Sequence, residues 1–209
     1  MMCLVMKKSR MITVLGIVIV ITLAVSSAIA AVVNLIGNPH SSVSAQMIEE
    51  NKNSVMMTVN VYGSTDTDVL LRIFRDTEVI FFISEDFCEK FPLKVKSIAQ
   101  SGYQIGILEE DMSDLTRNEV YDRLAVRIER MARLIGKNTY MVRLVQNDAE
   151  EETVKLIASL GLLPVQWTKD GEDDRIRGGD IILADEKSAE NLLKKISAEG
   201  FVIISADEI

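Results

Sequence analysis

Gly102-Tyr-Gln-Ile-Gly-Ile-Leu-Glu-Glu-Asp-Met-Ser-Asp-Leu115 is a short apolar run that opens into an acidic loop. Gln104 to Leu108 reads as a buried strand, and Gly102 punctuates its start. The next segment, Arg117 to Ile135, is the best-marked helix of the chain. Thr116 and Glu119 form a capping box, in which hydroxyl and carboxylate satisfy orphan backbone N–H groups. Val120, Leu124, Ile128, Met131 and Ile135 recur at spacings of three and four, with Arg123, Arg127, Arg130 and Arg133 on other faces. Gly136 supplies a left-handed stop. Strand, loop and helix in this order make half of a βαβ unit.

The same alternation extends in both directions. Further strands are expected at Met56–Tyr62, Val79–Ser84, Thr139–Val145, Leu163–Trp167, Asp180–Ala184 and Phe201–Ser205. Pro92 suits the first turn of a helix that ends near Gly102. Asp148 with Glu151 makes a second capping box closed by Gly161, and Ser188 and Gly200 bracket the last helix. Asp66 and Asp68, ahead of Val69-Leu-Leu71, read as cap and first-turn residues at a positive helix end. Strands separated by helical stretches indicate an α/β domain with a parallel sheet. Periodicity alone does not separate an open doubly wound sheet from an incomplete barrel.

Together with Met141-Val-Arg143, Trp167 and Gly179-Asp-Ile-Ile-Leu183, the opening stretch resembles the polysaccharide deacetylase family, carbohydrate esterase family four. That family reads roughly G-H-x-I-G-N-H-x-x-x-H-x-x-L at this segment. The resemblance implies a distorted (β/α) barrel of about seven parallel strands over residues 55–209. A domain of this length is short beside the roughly 200 residues or more of a full barrel, so the barrel should be incomplete.

The resemblance also implies a site, and here the chain departs from the pattern. The two histidine positions hold Leu108 and Met112. Gly63 and Ser64 stand where an aspartate pair, catalytic base and metal ligand, would follow the first strand. The third motif keeps only Arg143, which in the family orients the base. Trp167-Thr-Lys-Asp170 matches W-x-x-D, where the aspartate pairs with a catalytic histidine. The last motif ends in Asp185 in place of that histidine. The chain has one histidine, His40, outside the expected domain. Deacetylation needs a divalent metal to polarise the amide and an acid for the leaving amine. Leucine and methionine do not replace imidazole on zinc. The expectation is a non-catalytic domain with no cofactor. Arg143, left without the aspartate it would orient, should take a new carboxylate, with Asp170 and Asp185 nearest.

Outside the domain, Met11 to Ile36 runs uncharged, and roughly 20 such residues span a bilayer. Lys7, Lys8 and Arg10 precede it, which places residues 1–10 in the cytoplasm and the C-terminal part outside, beyond a polar linker at 37–54. A signal peptide cleaved at Ser27-Ala28-Ile29-Ala30, with secretion, is the alternative, although the apolar run continues past that point. The chain carries −8 overall, and without the three N-terminal cations the exported part is more acidic still. Nucleic acid is excluded as a partner on that ground.

Acidic residues after several strands, among them Glu109, Glu110, Asp114, Asp170 and Asp185, read as solvated loops before they read as a calcium or magnesium site. Cys88 has no histidine to activate it. There is no G-x-S-x-G elbow, P-loop or G-x-G-x-x-G. The sequence therefore points to an inactive, membrane-anchored deacetylase-like protein of a bacterial envelope, one that binds peptidoglycan, another glycan or a protein partner, with a layout like that of sporulation deacetylases. An active esterase with an unusual metal site, or an assembly partner of an active deacetylase, are the alternatives.

Overall fold

Parallel pairing around one central strand organises the chain. The structure, a computed structural model, describes residues 53–110, 112, 114–145, 151–171 and 175–208. The expected membrane span, most of the linker and the Asp148 cap lie outside these residues. Among the described residues no helix is long and apolar enough to cross a membrane.

The strands are β1 (Ser54–Val61), β2 (Ile80–Ile83), β3 (Gln104–Glu109), β4 (Met141–Leu144), β5 (Leu163–Pro164), β6 (Lys169–Asp170), β7 (Ile181–Ala184) and β8 (Val202–Ile203). Their order is β5-β4-β3-β2-β1-β7-β6, all pairs parallel, with β8 added to the first residues of β1. The helices are α1 (Thr67–Ile73), α2 (Glu85–Lys90), α3 (Pro92–Gln100), α4 (Arg117–Ile135), α5 (Glu151–Ser159) and α6 (Ala189–Ala198). The expected incomplete barrel of parallel strands is present. The local punctuation reads as anticipated: both halves of the capping box hold α4, Gly136 ends it at φ 74°, and the Asp66 carboxylate accepts the Asp68 and Val69 N–H groups.

The sheet curls, as side-chain contacts across it show. Arg143 on β4 reaches Thr58 and Asn60 on β1, three strands away in the order. Such a contact is possible only across a concave face. Side chains alternate along a strand, so Met56, Ile80, Phe82, Leu108 and Met141 share that face and form one cluster with Val165 and Ile181. Met57, Val59, Phe81, Ile83 and Ile105 point outward and pack with residues of α1, α2, α3 and α6. Ile107, Val142 and Leu144 pack on α4 and α5. Strands buried on both faces explain the continuous apolar runs of the sequence.

Two strand readings are corrected. Leu163–Trp167 was expected as one strand, and Lys169–Asp170 was not expected as a strand at all. The segment pairs with β4 at Leu163 and Pro164, and the Val165 N–H still reaches the Val142 carbonyl. It then leaves that edge and pairs with β7 through Lys169 and Asp170. One extended stretch thus touches both free edges of the sheet in turn. Residues 204–207 lie against the end of the sheet where β3 and β4 begin. Ile204 and Ala206 join the concave cluster, the Ala206 N–H donates to Gln104 Oε1 at 2.9 Å, and the Tyr140 hydroxyl donates to Asp207 at 3.0 Å.

Gly106 faces the concave side where the Phe82 ring lies. A β-carbon there would overlap that ring and sit 3.2 Å from the Met141 carbonyl oxygen. Phe82 is fully buried and packed with Met56, Ile80, Leu108 and Met141. Gly106→Ala should therefore destabilise the domain by about 1–3 kcal/mol, read as a lower urea midpoint with an unchanged slope. An unchanged midpoint would show that the interior has slack.

Candidate site at the centre of the barrel

Arg143 is the hub of the concave face and is fully buried. Its Nε donates to the Val165 carbonyl at 2.9 Å. Its Nη1 donates to Thr58 Oγ1 at 2.9 Å and to Asn60 Oδ1 at 3.2 Å. The Phe82 ring lies 4.1 Å from the guanidinium carbon, and the Trp167 ring 5.4 Å. Nη2 has no hydrogen-bond partner among the described residues. Burial pulls the guanidinium down to about 9, so it remains charged at neutral pH.

The expected new carboxylate is not found among the described residues. Asp185 is engaged elsewhere: its Oδ1 accepts the Lys187 and Ser188 N–H groups and the Ser188 hydroxyl, at 2.7–3.0 Å. Those bonds outweigh its partial burial and hold its carboxyl below the usual range. Asp170 and Asp185 do come together, as walls of a cavity of about 460 Å³ that also includes Gly171, Leu183 and Lys187. Arg143 does not line it. The reason is directional. Arg143 points inward across the barrel, whereas Asp185 serves as the cap of the turn leading into α6.

Leu108 lies in the interior beside Phe82, Val165 and Trp167, whereas Met112 packs with Val120, Leu124 and Ile157 outside the sheet. The structure thus separates these two positions. Gly63 and Ser64 belong to the turn after β1, where the Gly63 N–H donates to Asp86 at 3.0 Å. Neither reaches Arg143. The β1 residues that do are Thr58 and Asn60, which the sequence reading passed over. Their signal was available: on a strand of period two, Thr58 and Asn60 share the inward face.

A second arginine works on the outer side of β3. Glu109, assigned to a solvated acidic loop from sequence, is the last residue of β3 and fully buried. Arg127, assigned to a polar helix face, is only 4% exposed. They meet at 2.7 Å, and Arg123 adds a second contact to Glu109 at 2.9 Å. Glu109 Oε1 nevertheless makes no hydrogen bond among the described residues. Its 2.7 Å contact with Arg127 is an ion pair. Burial pushes the Glu109 carboxyl up, against the pull of Arg127 and Arg123. Arg127 also donates to the Ile83 and Leu108 carbonyls at the ends of β2 and β3. Glu85 and Glu89 extend the network through Arg130. Beside it lies a cavity of about 550 Å³ whose walls include Tyr62, Glu110, Leu108 and Val145. Cys88 is buried nearby, and burial raises its thiol to about 11, far from a nucleophile at neutral pH.

A divalent metal does not fit the residues at the barrel centre. The inward side chains there are Leu108, Asn60, Thr58 and a guanidinium, which offer no anionic ligand and a repelling positive charge. Among the described residues no three histidine, cysteine, aspartate or glutamate side chains converge.

No protein-family model matches the chain, and no curated protein matches it. Solved structures do. A family 4 carbohydrate esterase from Bacillus anthracis superposes with a TM-score of 0.68 at 18% identity, over 75% of this chain and 82% of that one. A family 4 pseudoenzyme from the same organism gives 0.69 at 18% identity, over 76% and 67%. A peptidoglycan deacetylase from Bacillus subtilis gives 0.64 at 15% identity, over 76% and 90%. At such identities the likeness establishes the fold: this chain shares the barrel of the family 4 carbohydrate esterases.

Asn60→Asp tests the centre directly, because it places a carboxylate 3.2 Å from a guanidinium that has none. The variant should gain about 1–3 kcal/mol in urea denaturation at pH 7. That gain should fade as pH falls through the depressed pKa of the new carboxylate, below roughly pH 4. A neutral or destabilised variant would show that Arg143 already has its counter-charge.

Proposed function

We propose that residues 55–209 form a catalytically inactive, deacetylase-like domain of a bacterial envelope protein, a binding or assembly module in place of a hydrolase. The single observation that carries this reading is the pair Leu108 and Asn60 on the inner face, with Arg143 between strands and, among the described residues, nothing there that holds a metal or takes a proton. A Lewis acid and a proton donor are both required for amide hydrolysis, and the side chains present supply neither. The interior is filled by Phe82, Leu108 and Trp167 around the buried arginine. That filling favours an envelope protein as the partner over a glycan chain threaded into the barrel, with peptidoglycan contacted on the rim. The apolar segment at 11–36 anchors the domain on the outer side of the cell membrane, and the layout suits a role in sporulation beside an active deacetylase.

Purified domain incubated with acetylated peptidoglycan fragments and added zinc should release no acetate and retain no stoichiometric metal after dialysis. One equivalent of zinc with measurable acetate release would sink the inactive reading. For the anchor, the protein recovered from the membrane fraction should still contain residues 1–30. A mature N-terminus at Ala31 would instead establish cleavage and secretion.

A further inference from the structure

The cavity of about 550 Å³ beside the Arg127–Glu109 pair lies at the C-terminal ends of four adjacent strands, which bring Tyr62, Ser84, Leu108 and Val145 to its wall. Its volume falls in the range that holds small molecules. Most of the charged groups on that wall are already engaged. Glu85 holds Arg130 at 3.0 Å and Arg127 at 3.5 Å, and Glu89 holds Arg130 at 2.8 Å. Asp86 accepts the Ser84 hydroxyl and the Gly63 N–H and pairs with Lys90. Arg127 is spent on Glu109 and on the Ile83 and Leu108 carbonyls.

Two groups of opposite charge are left over. Glu110 is exposed and makes no hydrogen bond or ion pair among the described residues. Arg123 gives its Nε to Glu109 at 2.9 Å, and its two Nη groups make no hydrogen bond to Glu110 or Tyr62. Glu110 and Arg123 line one cavity yet form no ion pair with each other. The Tyr62 hydroxyl accepts a 3.5 Å contact from Asn60 and keeps its own proton to donate. A guanidinium edge offers two parallel N–H donors that match the two oxygens of a carboxylate, and a carboxylate suits an ammonium. A ligand with a single charge would meet one of the two favourably and be opposed by the other. A ligand carrying both charges meets each with its complement.

We propose that this cavity binds a small zwitterion, a free amino acid or a short peptide with both ends free, whose ammonium pairs with Glu110 and whose carboxylate takes the Nη edge of Arg123. Tyr62 donates to the same carboxylate, and the aliphatic part of the ligand lies on Leu108 and Val145. The site requires neither a metal nor an inactive domain.

Titration calorimetry of the full-length protein at pH 7 tests this, with glycine as the free amino acid and triglycine as the short peptide. One of the two should bind at one equivalent, and the tighter names the source. N-acetylation removes the ammonium and C-terminal amidation removes the carboxylate, and each should weaken binding by about tenfold or more. Glu110→Gln, at an exposed position with no partner to lose, should stay folded and bind the parent ligand no better than its acetylated form. The proposal is overturned if the wild type binds neither compound, if the blocked forms bind as tightly as their parents, or if Glu110→Gln binds unchanged. None of these results bears on acetate release from peptidoglycan, so this reading and the inactive one fail separately.

Discussion

A single guanidinium, that of Arg143, constrains the interior of this barrel. It is bonded to β1 and to the residue after β5, and stacks on Phe82 of β2 and on Trp167 at the seam. Few side chains have the length and donor count to tie four segments at once, and lysine would offer no planar edge for stacking. Phe82 reaches its position only because residue 106 has no side chain. Leu108 and Val165 fill the space beside it. The centre of the barrel is thus an apolar cluster with a buried cation in it.

The two buried arginines illustrate opposite solutions to the same electrostatic problem. Arg127, outside β3, is paired with Glu109 and closes the ends of β2 and β3 through their carbonyls. Truncating either partner would leave a charge buried and unpaired, the costly case for internal ion pairs. Arg143, inside, relies on dipoles and aromatic faces. Cation–π contacts gain strength when desolvated, but they do not cancel a net charge. The inner arginine therefore remains an electrostatic opportunity, and the outer one is a clasp.

Much of this arrangement is legible in the sequence. The capping box at Thr116 and Glu119, the Asp66 cap and the left-handed glycine at 136 depend on neighbours within a few residues, so local chemistry predicts them. The resemblance to the deacetylases supplied the choice of a barrel over an open sheet, and the superpositions agree with it. The misread residues are of another kind. Glu109 follows an apolar run and precedes Glu110, so it looks solvated until α4 is laid over it. Arg127 interrupts no apolar stripe, yet Glu109 lies beneath it. Asn60 gains its meaning only from Arg143, which is 83 residues away in the chain.

By itself, the sequence determined the alternation of strands and helices, their caps and the lack of any histidine between residues 55 and 209, because these depend on residue type and short-range spacing. Only the tertiary structure decided which charges are buried, which carboxylates are occupied as caps, and that Arg143 meets an amide in place of an acid. Burial and pairing depend on which distant strands lie opposite one another across a curled sheet. That partnership is set by closure of the barrel, and no local pattern encodes it.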